Sequence, residues 1–231
     1  TPTSSRSTRT SKTVRLARAR VRVGGCRQTS AAAAASSFDL ESALEDRILG
    51  DVNAPIKISE HSSFTCGHCG LFHQRSFKQV KAELIDTGKA YLVFTDFPLN
   101  APALHASMIA RCIPQTDRYF DFVQMLFEEQ DNWAREGNYL NILKGMSEDY
   151  GLDANGFKSC LENDALQKGI VAGAKAAQTQ WNVSSTPSFV VNNKAVISGA
   201  QSADDFVTRV NEAVAAMESG EYEAPAGEEY N

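Results

Sequence analysis

Two cysteines three positions apart, in Cys66-Gly67-His68-Cys69, can do one of two kinds of chemistry. As thiols they can close and open a disulfide, and as thiolates they can hold a metal ion. A strand pattern ends just before the pair and a helix pattern starts with it. At a helix start the first thiol meets unsatisfied N–H groups and the positive end of the helix dipole. Both favour thiolate over thiol. The second thiol lies one turn on, close enough to bond the first. His68, between them, can add charge or a hydrogen bond. A favoured thiolate stabilises the reduced form and makes the disulfide a stronger oxidant. The metal reading would draw on His61, Cys66, His68, Cys69 and His73, which are ligands enough for zinc, but there is no second CxxC.

Two further features bear on the choice. Glu60 lies six residues before Cys66, on the same strand face as Ile56 and Ile58. A carboxylate on a buried face costs free energy unless it has a partner or a task. Under a dithiol its task would be to take and return the proton of Cys69. The plainer alternative is a strand-end carboxylate that reaches solvent. Pro187 opens a strand after the polar run Asn182–Thr186. Proline is tolerated there, and X–Pro bonds are where cis peptides occur. A cis Thr186–Pro187 bond would leave the Thr186 backbone free to pair with an extended substrate chain.

The elements that must position these residues read as follows. The spacing predicts a short helix over Leu40–Ile48 and a turn over Gly50–Pro55. Alternation over Ile56–His61 predicts a strand. A helix from Cys66 to about Asp86 carries Phe72, Phe77, Val80, Leu84 and Ile85 on one face, and Thr87-Gly88 ends it. Tyr91–Phe94 reads as a second strand. From Ala101 to Trp181 the pattern is helical throughout, with Asp153 as one cap. Ser188–Val191 and Ala195–Ser198 form a hairpin through Asn192-Asn193. A last helix covers Ser202–Met217. The order is that of an α/β domain split by an all-helical insertion.

Composition sets the frame. Of 231 residues, 42% are apolar, enough for an ordinary core, and no apolar run spans a membrane. Before Asp39 there are eight basic residues and no acid; from Asp39 on, 15 basic face 28 acidic residues. So acidic a body argues against a nucleic-acid partner. Residues 1–37, rich in Ser, Thr, Arg and Ala, are expected to be a targeting or linker segment outside the fold, with Cys26 removed or idle. Residues 219–231 are expected to be an acidic disordered tail. The domain reading is therefore 38–100 and 182–218 as two halves of one fold, with 101–181 inserted between them.

With these residues in place the sequence resembles the DsbA-like branch of the thioredoxin superfamily, of the type common in alpha-proteobacteria. The resemblance covers Leu40–Met217 and rests on Glu60, Cys66-Gly67-His68-Cys69, Thr186-Pro187-Ser188-Phe189-Val190-Val191 and the helical insertion. Ile48-Leu49-Gly50-Asp51, Asp96-Phe97-Pro98-Leu99 and Ala110-Arg111-Cys112 add to it. It implies a thioredoxin fold and a thiol–disulfide oxidoreductase without cofactor or metal. Cys66 would be the exposed nucleophile, Cys69 the buried partner and Pro187 the cis-proline. It also implies a periplasmic monomer that gives its disulfide to cysteine-containing exported proteins and is recharged by a membrane quinone-linked oxidase. Members of this type carry a second, structural disulfide, which would join Cys112 and Cys160; the alternative is two buried free thiols. Gly67-His68 departs from the Pro-His of the best-known DsbA and is the pair typical of disulfide isomerases. An isomerase or reductase with the same site, a redox-silent client-binding module, a zinc module and an organelle or other oxidising compartment are the alternatives. Periplasmic isomerases of the superfamily dimerise through an added N-terminal domain, and residues 1–37 are too short and polar for one, which favours the oxidase.

Overall fold

The computed structural model describes Thr1, residues 39–113 and residues 116–222. Most of the basic head, Cys26 and residues 223–231 lie outside the described residues. All the described elements belong to one compact unit, Ser37–Asn231.

Five strands form one sheet in the order β1-β3-β2-β4-β5. At its centre β2 (Ile56–Ser62) runs parallel to β3 (Ala90–Asp96), with Glu60 opposite Phe94 and Ser62 opposite Asp96. On its other side β2 pairs antiparallel with β4 (Ser188–Val191), which turns back into β5 (Ala195–Ser198). The turn runs through Asn192, Asn193 and Lys194; both asparagines are in the left-handed region, at φ 48° and 56°, and the Lys194 N–H donates to the Val191 carbonyl.

The edge strand β1 (Arg47–Leu49) corrects the sequence reading. The helix expected over Leu40–Ile48 stops early, as α1 (Leu40–Leu44), and Arg47–Leu49 instead pair antiparallel with Leu92–Phe94 of β3. Ladder hydrogen bonds override the helical spacing at Arg47 and Ile48. Arg111 ties this segment down. Its guanidinium donates to Asp96 at 2.5 Å and to the carbonyls of Ala43 and Glu45.

The long helix expected from Cys66 to Asp86 is three pieces: α2 (Gly67–Arg75), α3 (Phe77–Val80) and a π-helical turn over Lys81–Ile85. The break is at Ser76, whose hydroxyl donates to the Gln201 carbonyl at 2.7 Å. Gly88, at φ 71°, ends the run.

Six helices follow between β3 and β4: α4 (Ala101–Arg111), α5 (Thr116–Glu128), α6 (Gln130–Trp133), α7 (Tyr139–Glu148), α8 (Ala154–Leu161) and α9 (Asp164–Trp181). Helices α4–α8 share one core with the sheet, while α9 packs Leu166 and Ile170 on Ala43 and Met108, and Ala177 on Phe97 and Val190. Phe64 and Phe94 stack at 5.5 Å, and Phe127 of α5 closes on Phe64 at 5.0 Å. No helix among the described residues is long and apolar enough to cross a membrane. The last helix, α10 (Ala203–Ser219), runs two residues beyond the expected end. Beyond it the Tyr222 hydroxyl donates to the Lys194 carbonyl, so residues 219–222 still belong to the folded body.

Cys112, at the end of α4, and Cys160 of α8 are joined by a disulfide across 48 positions, with Cα atoms 6.4 Å apart. Its main effect falls on the unfolded chain, whose freedom it restricts. In the chain-entropy account Cys112→Ala/Cys160→Ala is expected to lose about 4 kcal/mol of stability. By calorimetry that is a fall in Tm of roughly 10 °C for a domain of this size. An unchanged Tm would show that α4 and α8 are held together by packing alone.

Candidate active site

Cys66 stands at the N-cap of α2, in extended backbone, and Cys69 one turn further in. Both are free thiols. Cys66 is half-buried, and its thiol donates to the Thr186 carbonyl at 3.3 Å. Its pKa is lowered to about 5. The hydrogen bond from the Cys69 thiol is the largest cause, followed by help from Thr186 and the backbone N–H groups of Cys69 and His68; burial opposes. Cys69 has no exposed surface. Burial raises its pKa strongly, and its hydrogen bond to Cys66 and the charge there add to the rise; Ser63 and Ser62 act the other way. One thiol is thus prepared to ionise and its neighbour to stay protonated.

Each sequence-predicted residue has a place. The Thr186–Pro187 bond is cis, on the loop that leads into β4. Glu60 is fully buried. Its Oε1 accepts from the Ser62 hydroxyl at 2.5 Å and faces His73 Nε2 at 2.8 Å. Its Oε2 has no hydrogen-bond partner among the described residues. His68 is exposed, and its backbone N–H helps to lower the Cys66 pKa. Gly67 is open, with nothing close to where a Cβ would stand. Cys112 and Cys160 lie in the insertion, away from this group.

The histidines do not converge on the dithiol as zinc ligands would. His61 is on the opposite face of β2, against Trp181 of α9, and burial lowers its pKa to about 4. His73 is held between Glu60 and Gln124, with its ring stacked on Phe127 at 4.1 Å.

The sequence reading does not place Ser62 or Gln130 at the site, and it offers His73 only as a possible metal ligand. Ser62 and His73 both bond Glu60. Gln130, at the start of α6, donates to the carbonyls of Phe64 at 2.7 Å and Cys66 at 3.0 Å, and so clamps the loop that carries the dithiol. Gly70 permits that approach, since a Cβ there would lie 2.6 Å from the Gln130 side-chain oxygen. Ser62 had a signal, two positions from Glu60 on one strand face. Gln130, 64 positions from Cys66, had none.

A family model described as thioredoxin matches residues 42–212. The chain belongs to the thioredoxin family. Within that family it is 30% identical to a Rickettsia felis protein provisionally named a protein-disulfide oxidoreductase, over 73% of this chain and 60% of that one. The chain therefore spans about 60% of the length of these curated Rickettsia relatives. Disulfide bond formation protein D of Bacillus subtilis is 22% identical over 64% of this chain and 68% of its own. Among solved structures, alpha-DsbA1 of Wolbachia pipientis superposes with a TM-score of 0.68 at 28% identity, over 73% of this chain and 90% of that one. BdbD of Bacillus subtilis, at 20% identity and a TM-score of 0.64, shares the fold. The thioredoxin fold with a helical insertion, expected from the sequence, is the fold of this chain.

Proposed function

We propose that the chain is a protein thiol–disulfide oxidoreductase that gives the Cys66–Cys69 disulfide to cysteine-containing proteins. The observation that carries this is the asymmetry of the two thiols: Cys66 half-exposed against the Thr186 carbonyl, Cys69 sealed beneath it. A substrate thiolate attacks the Cys66 sulfur of the oxidised pair. The Cys66–Cys69 bond breaks, and its electron pair leaves on Cys69, which takes a proton. A second substrate thiolate then attacks the substrate sulfur of the mixed disulfide. Cys66 leaves as its stabilised thiolate, the substrate is oxidised and the protein is reduced. Glu60, buried beneath the pair, supplies and recovers the Cys69 proton. Leu71 and Leu99, both exposed, offer apolar contact to an unfolded chain; the backbone of Leu99 bonds to Ser63 in the loop before Cys66. The Cys112–Cys160 bond supports an oxidising compartment, which for this reading is the periplasm, with a membrane quinone-linked oxidase to restore the disulfide.

The direction of electron flow is tested by the reduction potential against glutathione. The expected value lies well above thioredoxin's, which is about −270 mV, and toward that of strong oxidants, about −120 mV. A value near −270 mV would make the protein a reductase and end the oxidase reading.

A further inference from the structure

Cys66 is delivered to the start of α2 by the loop 63–66, and that loop is fastened to the helical insertion. The Cys66 N–H donates to the Ser63 carbonyl at 3.0 Å, which closes a tight turn. Phe64 lies within the turn, outside both β2 and α2, and its carbonyl accepts from Gln130 Nε2 at 2.7 Å. The same nitrogen donates to the Cys66 carbonyl at 3.0 Å, which also accepts the Gly70 N–H at 3.0 Å. A side-chain amide carries two N–H donors. One buried amide thus holds the carbonyls on either side of Thr65, whose hydroxyl donates to Asn100, the cap of α4, at 3.1 Å. The fit is close, since a Cβ at Gly70 would stand 2.6 Å from the Gln130 side-chain oxygen.

This clamp acts unequally on the two redox forms. In the oxidised form the Cys66–Cys69 bond itself ties the loop to α2. In the reduced form that bond is gone. The Cys66 sulfur then keeps its place, beside the Thr186 carbonyl and at the positive end of α2, through the backbone of residues 64–66. Hydrogen bonds that hold this backbone therefore stabilise the reduced form more than the oxidised one. Stabilising the reduced form raises the reduction potential. We propose that Gln130 is a positioning residue of the dithiol, which holds the Cys66 sulfur at the start of α2 and so makes the Cys66–Cys69 disulfide more oxidising. This rests on the reading of Cys66 and Cys69 as an exchanging dithiol. It gives the helical insertion a part in setting the potential of a centre carried by the thioredoxin half.

The test measures two quantities. One is the equilibrium of reduced protein and oxidised glutathione with oxidised protein and two molecules of glutathione, in which two electrons and two protons pass to glutathione. The other is the pH midpoint of Cys66 alkylation. Gln130→Met keeps the length and bulk of the side chain and removes the donor. It is expected to raise the equilibrium constant for oxidation about tenfold, the worth of one net hydrogen bond. That is a potential lower by about 30 mV. The alkylation midpoint should rise by about one pH unit. Gly70→Ala suits a helix better than glycine and pushes Gln130 off the loop. It is expected to shift both quantities in the same direction, so it carries the test should Gln130→Met not fold. Gly70→Ala/Gln130→Ala should shift them no further than Gln130→Ala, since both changes act on the same two hydrogen bonds. A purely structural loss would weaken both redox forms alike and move neither quantity. Wild-type values of both in folded Gln130→Met would therefore overturn the proposal. A Gly70→Ala/Gln130→Ala protein shifted by the sum of two sizeable single effects would also overturn it. Failure of the wild-type protein to form any Cys66–Cys69 disulfide with oxidised glutathione would end the dithiol reading, a distinct result.

Discussion

Cys66→Ser is expected to abolish the reduction of insulin in a turnover assay, and Cys69→Ser is expected to leave the protein covalently bound to its clients. The two outcomes follow from the different positions of the two sulfurs. Only Cys66 is partly open to a partner, beside a carbonyl on the loop that carries the cis-proline. A serine hydroxyl there cannot form a disulfide, so no exchange begins. In Cys69→Ser the first bond still forms, because Cys66 keeps its place at the helix start and its support from Thr186 and the backbone N–H groups of positions 68 and 69, although the Cys69 thiol no longer contributes. The group that would break that bond is gone, and burial keeps other thiols from the same position. Mixed disulfides should therefore accumulate as higher bands on a non-reducing gel and vanish with reductant. Persistent turnover in Cys66→Ser would show that the chemistry lies elsewhere. A Cys69→Ser variant that captures nothing would assign the two sulfurs the other way round.

Why were these residues legible and others not? The dithiol, Glu60 and Thr186-Pro187 each sit on a local pattern: a helix start, a strand face, a proline that opens a strand. Local patterns survive in a sequence because backbone geometry repeats over two or four residues. β1 is three residues long and exists through its ladder with Leu92–Phe94, which no local period records. The break at Ser76 depends on a carbonyl at Gln201, 125 positions away. His73 was visible as a titratable side chain one turn past Cys69, and a metal ligand was one use for it. Its pairing with Glu60 depends on how α2 is rotated against β2, which packing of Phe72, Phe77 and Phe127 decides. Gln130 lies beyond any sequence rule, because the insertion must first fold back over the thioredoxin half before its side chain can reach the Phe64 and Cys66 carbonyls.

The second large effect concerns pH. Alkylation of Cys66 is expected to have its midpoint near pH 5, the value to which its thiol is lowered. For an ordinary thiol, with its midpoint near 9, the thiolate fraction at pH 7 would be roughly 1%; for Cys66 it would be roughly 99%. The same shift sets a pH dependence of stability. In the reduced unfolded chain this thiol keeps its proton up to about pH 9, while the folded protein has released it by about pH 5. Between these values the unfolded state binds more protons, so stability of the reduced protein rises with pH across that window. The contribution is lost as pH falls through 5. Above pH 9 the buried Cys69 works in the opposite sense, since it stays protonated in the fold where the unfolded chain would ionise. The oxidised protein has neither thiol at the site and lacks both effects. The gap in guanidinium midpoint between reduced and oxidised protein should therefore widen in favour of the reduced form from pH 5 to pH 8. A gap that stays flat or narrows over that range would be incompatible with a stabilised Cys66 thiolate. A reduced state that gains stability near neutral pH is the thermodynamic condition for a protein that gives its disulfide away.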